Sequence, residues 1–321
     1  MNIDIPNIVS MESKPCPLGC SNSVDEEVFK GWDRIHDLPG EFLVVRCSKC
    51  GLMRTDPRPT ADSIGYYYPD NYGPYNSTKV KSKGVKKSRA GKYKHFIRQL
   101  FQFNTKRIPK MEPGNMLEIG CASGEFLHEM AQEGWNVTGI EFSQIAAENA
   151  RNLGYPVYVG SVESSPEPEY KYELIVGWMV LEHLHDPVSA LKKLERWMKP
   201  GGHLVISVPN AGSLESRVFG NAWYANHLPN HLYHFTTQTI RTMLSEAGWE
   251  VEKIYHQRIL SSLIVSVGYV LLDKGVFKTF AKKLVDMPAK GNKWNYILFP
   301  TACFLALFGQ TGRMTIWAKK K

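Results

Sequence analysis

Met116-Leu117-Glu118-Ile119-Gly120-Cys121-Ala122-Ser123-Gly124-Glu125-Phe126 is the stretch that decides the fold. An apolar run ending in an acid meets two glycines four apart, and helix-forming residues follow from Glu125 to Glu133. That order predicts strand, tight turn, helix. Glycine admits a positive φ and lets a ligand lie against the main chain. The helix that follows offers backbone N–H groups without intrahelical partners. By itself such a turn belongs to any doubly wound protein. The next unit, Trp135 to Glu141, reads as a second strand that again ends in an acid. Its acid falls about 20 residues past the first glycine, where a βαβ unit grips the ribose hydroxyls of a nucleotide-like ligand.

The alternation continues. Phe142-Ser143 opens a helix through Arg151, with Ser143 as its N-cap. Val157 to Glu163 is a third strand and turn, and Tyr172 to Trp178 a fourth strand. Pro187 to Met198 is an amphipathic helix carrying Val188, Leu191, Leu194, Glu195 and Met198 at helical spacing, stopped by Lys199-Pro-Gly-Gly202. His203 to Asn210 is the fifth strand. Thr236 or Thr237 caps a helix that runs to Ala247 and stops at Gly248, and Trp249 to Arg258 is the sixth strand. A seventh, antiparallel strand is expected at Arg313 to Ala318, which leaves 259–312 as an insertion in the last hairpin of the sheet.

With Glu118 ahead of the first glycine and no Gly-x-Gly-x-x-Gly, the turn resembles that of the class I S-adenosylmethionine-dependent methyltransferases rather than that of the nicotinamide dehydrogenases. Val180-Leu181-Glu182-His183 followed by Asp186-Pro187 is similar to the same family, and the resemblance covers about 110–258 and 313–321. It implies an α/β fold, a Rossmann-like seven-stranded, mostly parallel sheet with helices on both faces. It also implies bound S-adenosyl-L-methionine, held by Glu118, Gly120, Cys121, Ala122, Ser123, Gly124, Glu141, Phe142, Val162 and Trp178. The family has an aspartate where this chain has Ser161, so Glu163 or the backbone near Val162 would read the base.

Ahead of this region stand Cys16-Pro-Leu-Gly-Cys20 and Cys47-Ser-Lys-Cys50, two knuckles that together supply four thiolates for tetrahedral zinc. Phe29 to Asp33 and Glu41 to Arg46 read as short strands between them. The reading is a structural zinc ribbon, because four protein ligands leave no open position; a redox Cys-x-x-Cys lacks its βαβ surroundings. A loop follows, Tyr66-Tyr67-Tyr68-Pro-Asp-Asn-Tyr72-Gly-Pro-Tyr75, too irregular for a strand or helix face. Ribbon and loop together resemble the amino-terminal part of nucleotide-sugar C-methyltransferases, which implies a catalytic tyrosine at Tyr72 or Tyr75. Asn230-His231-Leu-Tyr-His-Phe235-Thr236 resembles that family's Glu-His segment, with Asn230 in the place of the glutamate. An amide cannot serve as a carboxylate base, so His231 is the expected base, acting on a hydroxyl or amine. His183 is a second candidate base or, as the favoured alternative, a cap on the following helix. Metal at the histidines of the 223–234 loop would need a carboxylate, and none is seen to join them.

Composition narrows the remainder. At 321 residues the chain suits a zinc ribbon over 1–60, a linker over 61–110 and a methyltransferase domain over 111–321. Six cysteines are too few for a disulfide scaffold, and the start of the chain has Asp4 and Glu12 but no apolar core of signal-peptide length, so the cytoplasm is expected. The net charge is +8, yet 79–110 carries twelve Lys or Arg and no acid, leaving the rest of the chain slightly acidic. Ile259 to Leu272 and Trp294 to Gly312 carry no charge, and a basic amphipathic helix is expected from Lys274 to Val285. Two readings stand: helices that cap the core or form a homodimer, or peripheral insertion in a membrane face. The expected function is methyl transfer to a sugar, nucleotide-linked or lipid-linked. The alternatives are a membrane lipid or quinone acceptor, and a zinc-ribbon nucleic-acid-binding protein. Absence of an Asn-Pro-Pro-Tyr-type motif after the fourth strand counts against methylation of exocyclic base amines in nucleic acid.

Overall fold

The computed structural model describes residues 4–69, 103, 107–286 and 294–321. In chain order its strands are β1 (Met11–Glu12), β2 (Asp25–Gly31), β3 (Phe42–Cys47), β4 (Met53–Thr55), β5 (Arg58–Pro59), β6 (Asn115–Ile119), β7 (Asn136–Glu141), β8 (Val157–Val159), β9 (Tyr172–Trp178), β10 (Met198–Pro209), β11 (Tyr233–His234), β12 (Trp249–His256) and β13 (Arg313–Lys320). The helices are α1 (Glu125–Gln132), α2 (Gln144–Asn152), α3 (Pro187–Trp197), α4 (Leu214–Phe219), α5 (Thr237–Glu246), α6 (Ser261–Asp273), α7 (Lys278–Val285), α8 (Trp294–Ile297) and α9 (Phe299–Leu307).

Seven strands form the main sheet in the order β12-β13-β10-β9-β6-β7-β8. Pairing is parallel from β10 through β8, and β13 inserts antiparallel between β10 and β12. The sheet is buried on both faces, which is why its central strands read as apolar runs. Met116, Leu174 and Val205 pack with Phe126, Leu127, Ala147 and Ala150 of α1 and α2. Their sequence neighbours Leu117, Ile175 and Ile206 pack with Leu191, Leu194, Ile240 and Leu244 of α3 and α5. One-residue alternation across the pleat thus feeds two cores.

The expected helix ends recur with their caps. Ser143 Oγ accepts from Ala146 N, and Thr236 and Thr239 form a reciprocal capping box. Gly248 leaves α5 at φ +88°. Lys199-Pro-Gly-Gly202 does not separate helix from strand as expected. It runs within β10, with a register shift against β9 between Met198 and His203.

The small sheet, β11-β4-β3-β2, carries the cysteines, but its fourth strand comes from far along the chain: Tyr233 pairs with Arg54 and His234 with Met53. Its first strand begins four residues and ends two residues earlier than expected; just beyond its end the Asp33 carboxylate takes the backbone N–H groups of Ile35 and His36, both at 3.0 Å, and turns the chain. Residues 64–67 form a 3-10 turn where only loop was expected, and it seats the fully buried Tyr67 against Phe42. Tyr72, Tyr75 and most of the 79–110 basic segment lie outside the described residues.

The described part of the insertion is mainly helical, in α6, α7, α8 and α9. Its basic helix begins at Lys278 rather than Lys274, since Gly275 and Phe277 hold left-handed φ values of +69° and +48°. Among the described residues no helix is long and apolar enough to cross a membrane.

Candidate active site

One cavity of about 800 Å³ lies outside the carboxyl ends of β6, β7, β8 and β9, where ligands bind in open α/β sheets. At one end it is lined by Gly120, Ala122, Glu141, Phe142, Val162, Glu163 and Trp178, and at the other by Tyr68, His183, His227 and His231. Glu118, Cys121, Ser123 and Gly124, also expected at the cofactor, lie outside this lining, with Glu118, Cys121 and Ser123 buried.

The turn is built on glycine for two reasons. Gly120 has φ +65°, and a Cβ there would stand 2.4 Å from Val180 Cγ2. Gly124, at φ +81°, caps α1, and a Cβ would meet Ala150 Cβ at 2.9 Å. Three non-glycine residues with positive φ, Ala122, Met179 and His227, also line the cavity. Strained backbone of this kind concentrates where a site over-determines its geometry.

Glu141 accepts Ala122 N on Oε2 at 2.9 Å and Ser143 N on Oε1 at 2.8 Å. Burial raises its pKa against those backbone donors. A carboxylate has about four acceptor positions, so lone-pair capacity remains for a hydroxyl. The Trp178 indole N–H meets no acceptor among the described residues, and Phe142 stands 55% exposed at the rim. Ser161 does not replace the missing aspartate, because its hydroxyl accepts from Ser164 N at 3.2 Å and closes its own turn. Glu163 does line the cavity. A donor without an acceptor, a carboxylate with spare lone pairs, an exposed ring and glycines that open the turn fit S-adenosylmethionine.

At the other end three imidazoles meet edge to face, with ring centroids 4.6 Å apart for His183–His231 and 4.9 Å for His227–His231. His231 Nδ1 lies 2.9 Å from the Ala225 carbonyl, which can only accept; the proton therefore sits on Nδ1 and Nε2 keeps its lone pair. Burial and the neighbouring His183 and His227 push its pKa well below 6.5, so the ring is neutral. His183 Nδ1 faces the Asn230 carbonyl at 2.9 Å and Tyr68 Oη at 2.8 Å, and burial lowers its pKa to about 4. It does not cap the following helix: Asp186 does, accepting from Ser189 N at 3.0 Å. Asn230 is pinned by its amide to the Tyr67 carbonyl at 2.9 Å, which leaves it a structural part.

Two residues escaped the sequence reading. Tyr68 reaches the site from the tyrosine run, a few positions before those expected. Glu182, fully buried, lies behind the cavity wall with Oε1 3.9 Å from His231 Nε2, and neither of its oxygens meets a hydrogen-bond partner among the described residues. Burial lifts its pKa to about 8. The absence of a carboxylate beside the histidines is thereby corrected: the 3-10 turn at Leu181–His183 swings one in from another part of the chain. Glu182, His183 and His231 present ligand atoms within 4.8 Å of one another, a set a cation accepts. Glu182 nonetheless stays out of the cavity lining.

The Sγ atoms of Cys16, Cys20, Cys47 and Cys50 likewise lie within 4.8 Å of one another. Tetrahedral zinc at about 2.3 Å from each sulfur needs pairs about 3.8 Å apart, so the cluster fits a structural ion. Burial pushes Cys20 up to about 11, while at Cys47 burial is outweighed by backbone N–H groups and the Ser23 hydroxyl, which bring it down to about 6. This sheet holds the histidine segment directly. Thr55 Oγ1 donates to the His231 carbonyl at 2.8 Å and Thr55 N to the Leu232 carbonyl at 3.0 Å; from β5 of the neighbouring two-stranded sheet, buried Arg58 bonds Tyr233 Oη at 2.9 Å.

Residues 88–254 match the methyltransferase-domain family, just over half of the chain, and the chain belongs to it: a class I S-adenosylmethionine-dependent methyltransferase. Among curated relatives, a ubiquinone biosynthesis O-methyltransferase of Alkalilimnicola ehrlichii is 33% identical over 109 residues, 31% of this chain and 43% of that protein. The protein of the same name in Nitrosospira multiformis is 28% identical over 163 residues, 46% of this chain and 67% of that one. The chain thus spans less than half the length of the first relative. A solved S-adenosylmethionine-dependent methyltransferase of Mesorhizobium loti superposes with a TM-score of 0.45 at 14% identity, over 66% of this chain and 94% of that one.

Proposed function

We propose that the chain methylates a hydroxyl of a sugar, nucleotide-linked or lipid-linked, with His231 as the base. The observation that carries this is the Nδ1 contact with the Ala225 carbonyl at 2.9 Å, which leaves an unprotonated Nε2 on a ring lining the cavity. S-adenosylmethionine, when bound, supplies an activated sulfonium methyl. Glu141, Trp178 and the Gly120 turn hold it at one end of the cavity and orient the transfer. At the other end His231 Nε2 takes the hydroxyl proton as the acceptor oxygen becomes nucleophilic. The imidazolium so formed is buried, and an ionised Glu182 at 3.9 Å offsets its charge.

A second reading, a ring hydroxyl of a quinone-like lipid, is favoured by the names of the two relatives and by the apolar insertion. The test is label transfer from methyl-labelled S-adenosylmethionine into a cell extract split into soluble and organic-extractable fractions. Label in soluble nucleotide sugars or lipid-linked glycans supports the sugar reading. Label in a sugar-free quinol supports the second, and label confined to nucleic acid refutes both.

A further inference from the structure

Among the described residues, nine of the seventeen exposed large hydrophobic side chains fall between 276 and 308, within the insertion. Phe304, Leu307 and Phe308 are 61%, 79% and 64% exposed. Their i, i+3, i+4 spacing at the end of α9 places them on one face, and the two phenyl rings touch at 5.2 Å. Phe277 and Phe280 stand out beside α7, interleaved with exposed Lys274, Lys278, Lys282 and Lys283, and no acid lies between 274 and 285. The preceding acid, Asp273, is already held by both guanidinium nitrogens of Arg34 at 2.9 Å.

We propose that this insertion docks the enzyme on the surface of an anionic phospholipid bilayer. Exposed phenylalanines among lysines fit the boundary between acyl chains and acidic headgroups, where each group meets its own environment. Helices of eight and nine residues lie in such a boundary and do not cross it. A second copy of the chain is the poorer occupant, because a two-fold contact through α7 would set these lysines against their own copies. The insertion is also fixed to the cavity wall. Ser266 Oγ of α6 accepts from Tyr224 N at 2.9 Å, Tyr224 lines the cavity, and Gly268 of α6 leaves no room for a Cβ, which would stand 2.8 Å from Val285 Cγ2 of α7. Docking therefore holds the cavity next to the lipid surface, whatever the acceptor proves to be.

The test uses the full chain and vesicles of phosphatidylglycerol with phosphatidylcholine, against phosphatidylcholine alone. Co-sedimentation is expected with the anionic vesicles. It should fall on the order of tenfold or more in K278E/K282E, since each lysine near an anionic surface contributes severalfold. F304S/L307S/F308S should weaken it similarly, with S-adenosylmethionine affinity unchanged in both variants as the check on folding. In the wild-type chain, brominated acyl chains should quench tryptophan emission, a readout that needs no variant. Equal binding to neutral and anionic vesicles, or no quenching, overturns the proposal. So does a dimer in sedimentation equilibrium that F304S/L307S/F308S dissociates.

Discussion

Replacing His231 by asparagine separates its chemistry from its packing. The amide introduced by H231N can still donate to the Ala225 carbonyl that His231 Nδ1 meets at 2.9 Å, but it has no basic nitrogen. A positioned general base contributes about 10²–10⁴ in rate, or roughly 3–5 kcal/mol at 1.36 kcal/mol per decade. H231N should lower kcat by that factor. Its stability cost should stay at about 1–3 kcal/mol, from the smaller side chain in a buried site. Because His231 belongs to none of the turns at Gly120, Glu141 or Val162, the affinity for S-adenosylmethionine should change less than twofold. The assay is single-turnover formation of S-adenosylhomocysteine with enzyme in excess over the labelled acceptor fraction, alongside calorimetric cofactor titration. Turnover within about threefold of wild type, with cofactor binding intact, would falsify the assignment of the base. H183N serves as the comparison, since His183 Nδ1 is engaged with the Asn230 carbonyl and Tyr68.

Four further outcomes follow from the same geometry. Ionised Glu182 supports the imidazolium that forms on His231, so kcat should climb as pH rises through about 8, with Arg313 the nearby cation, and E182Q should flatten that limb of the profile. Thermal stability should peak near pH 6.5. His183, His227 and His234, lowered by burial to about 4, 3 and 4, favour the neutral folded form above 6.5 and lose that contribution as pH falls through their folded values. Glu182 and Glu215, raised by burial to about 8 and 7, stabilise the folded state while protonated and lose that contribution as pH rises above 4.5 towards those values. A melting temperature that increases steadily from pH 6.5 to 8.5 would contradict this balance. Gly120→Ala should remove cofactor binding in equilibrium dialysis, since its Cβ would stand 2.4 Å from Val180 Cγ2 at φ +65°, whereas Cys47→Ser should remove zinc and reduce kcat more than cofactor affinity, because the cysteine sheet holds the backbone of residues 231–234.

The seven strands as elements, the caps at Ser143 and Thr236, and the glycine turn were legible in the sequence. Each is decided by neighbours within a few positions: alternation across a pleat, a hydroxyl reaching two or three residues ahead, a φ that only glycine adopts without strain. The four cysteines were legible too, because thiols in two close pairs carry their chemistry with them. What the chain order could not give was the company His231 keeps. Glu182 lies 49 positions earlier, and only the arrival of the 3-10 turn after β9 beside the histidine loop puts its carboxyl 3.9 Å from Nε2. Tyr68 likewise meets His183 across 115 residues, and the ribbon gains its fourth strand from Tyr233–His234. Local spacing therefore determined which groups the protein has and on which elements they ride. Packing of distant elements decided which of them share a cavity, because burial and mutual contact, the causes of the shifted pKa values and the fixed tautomer, exist only once the chain has closed.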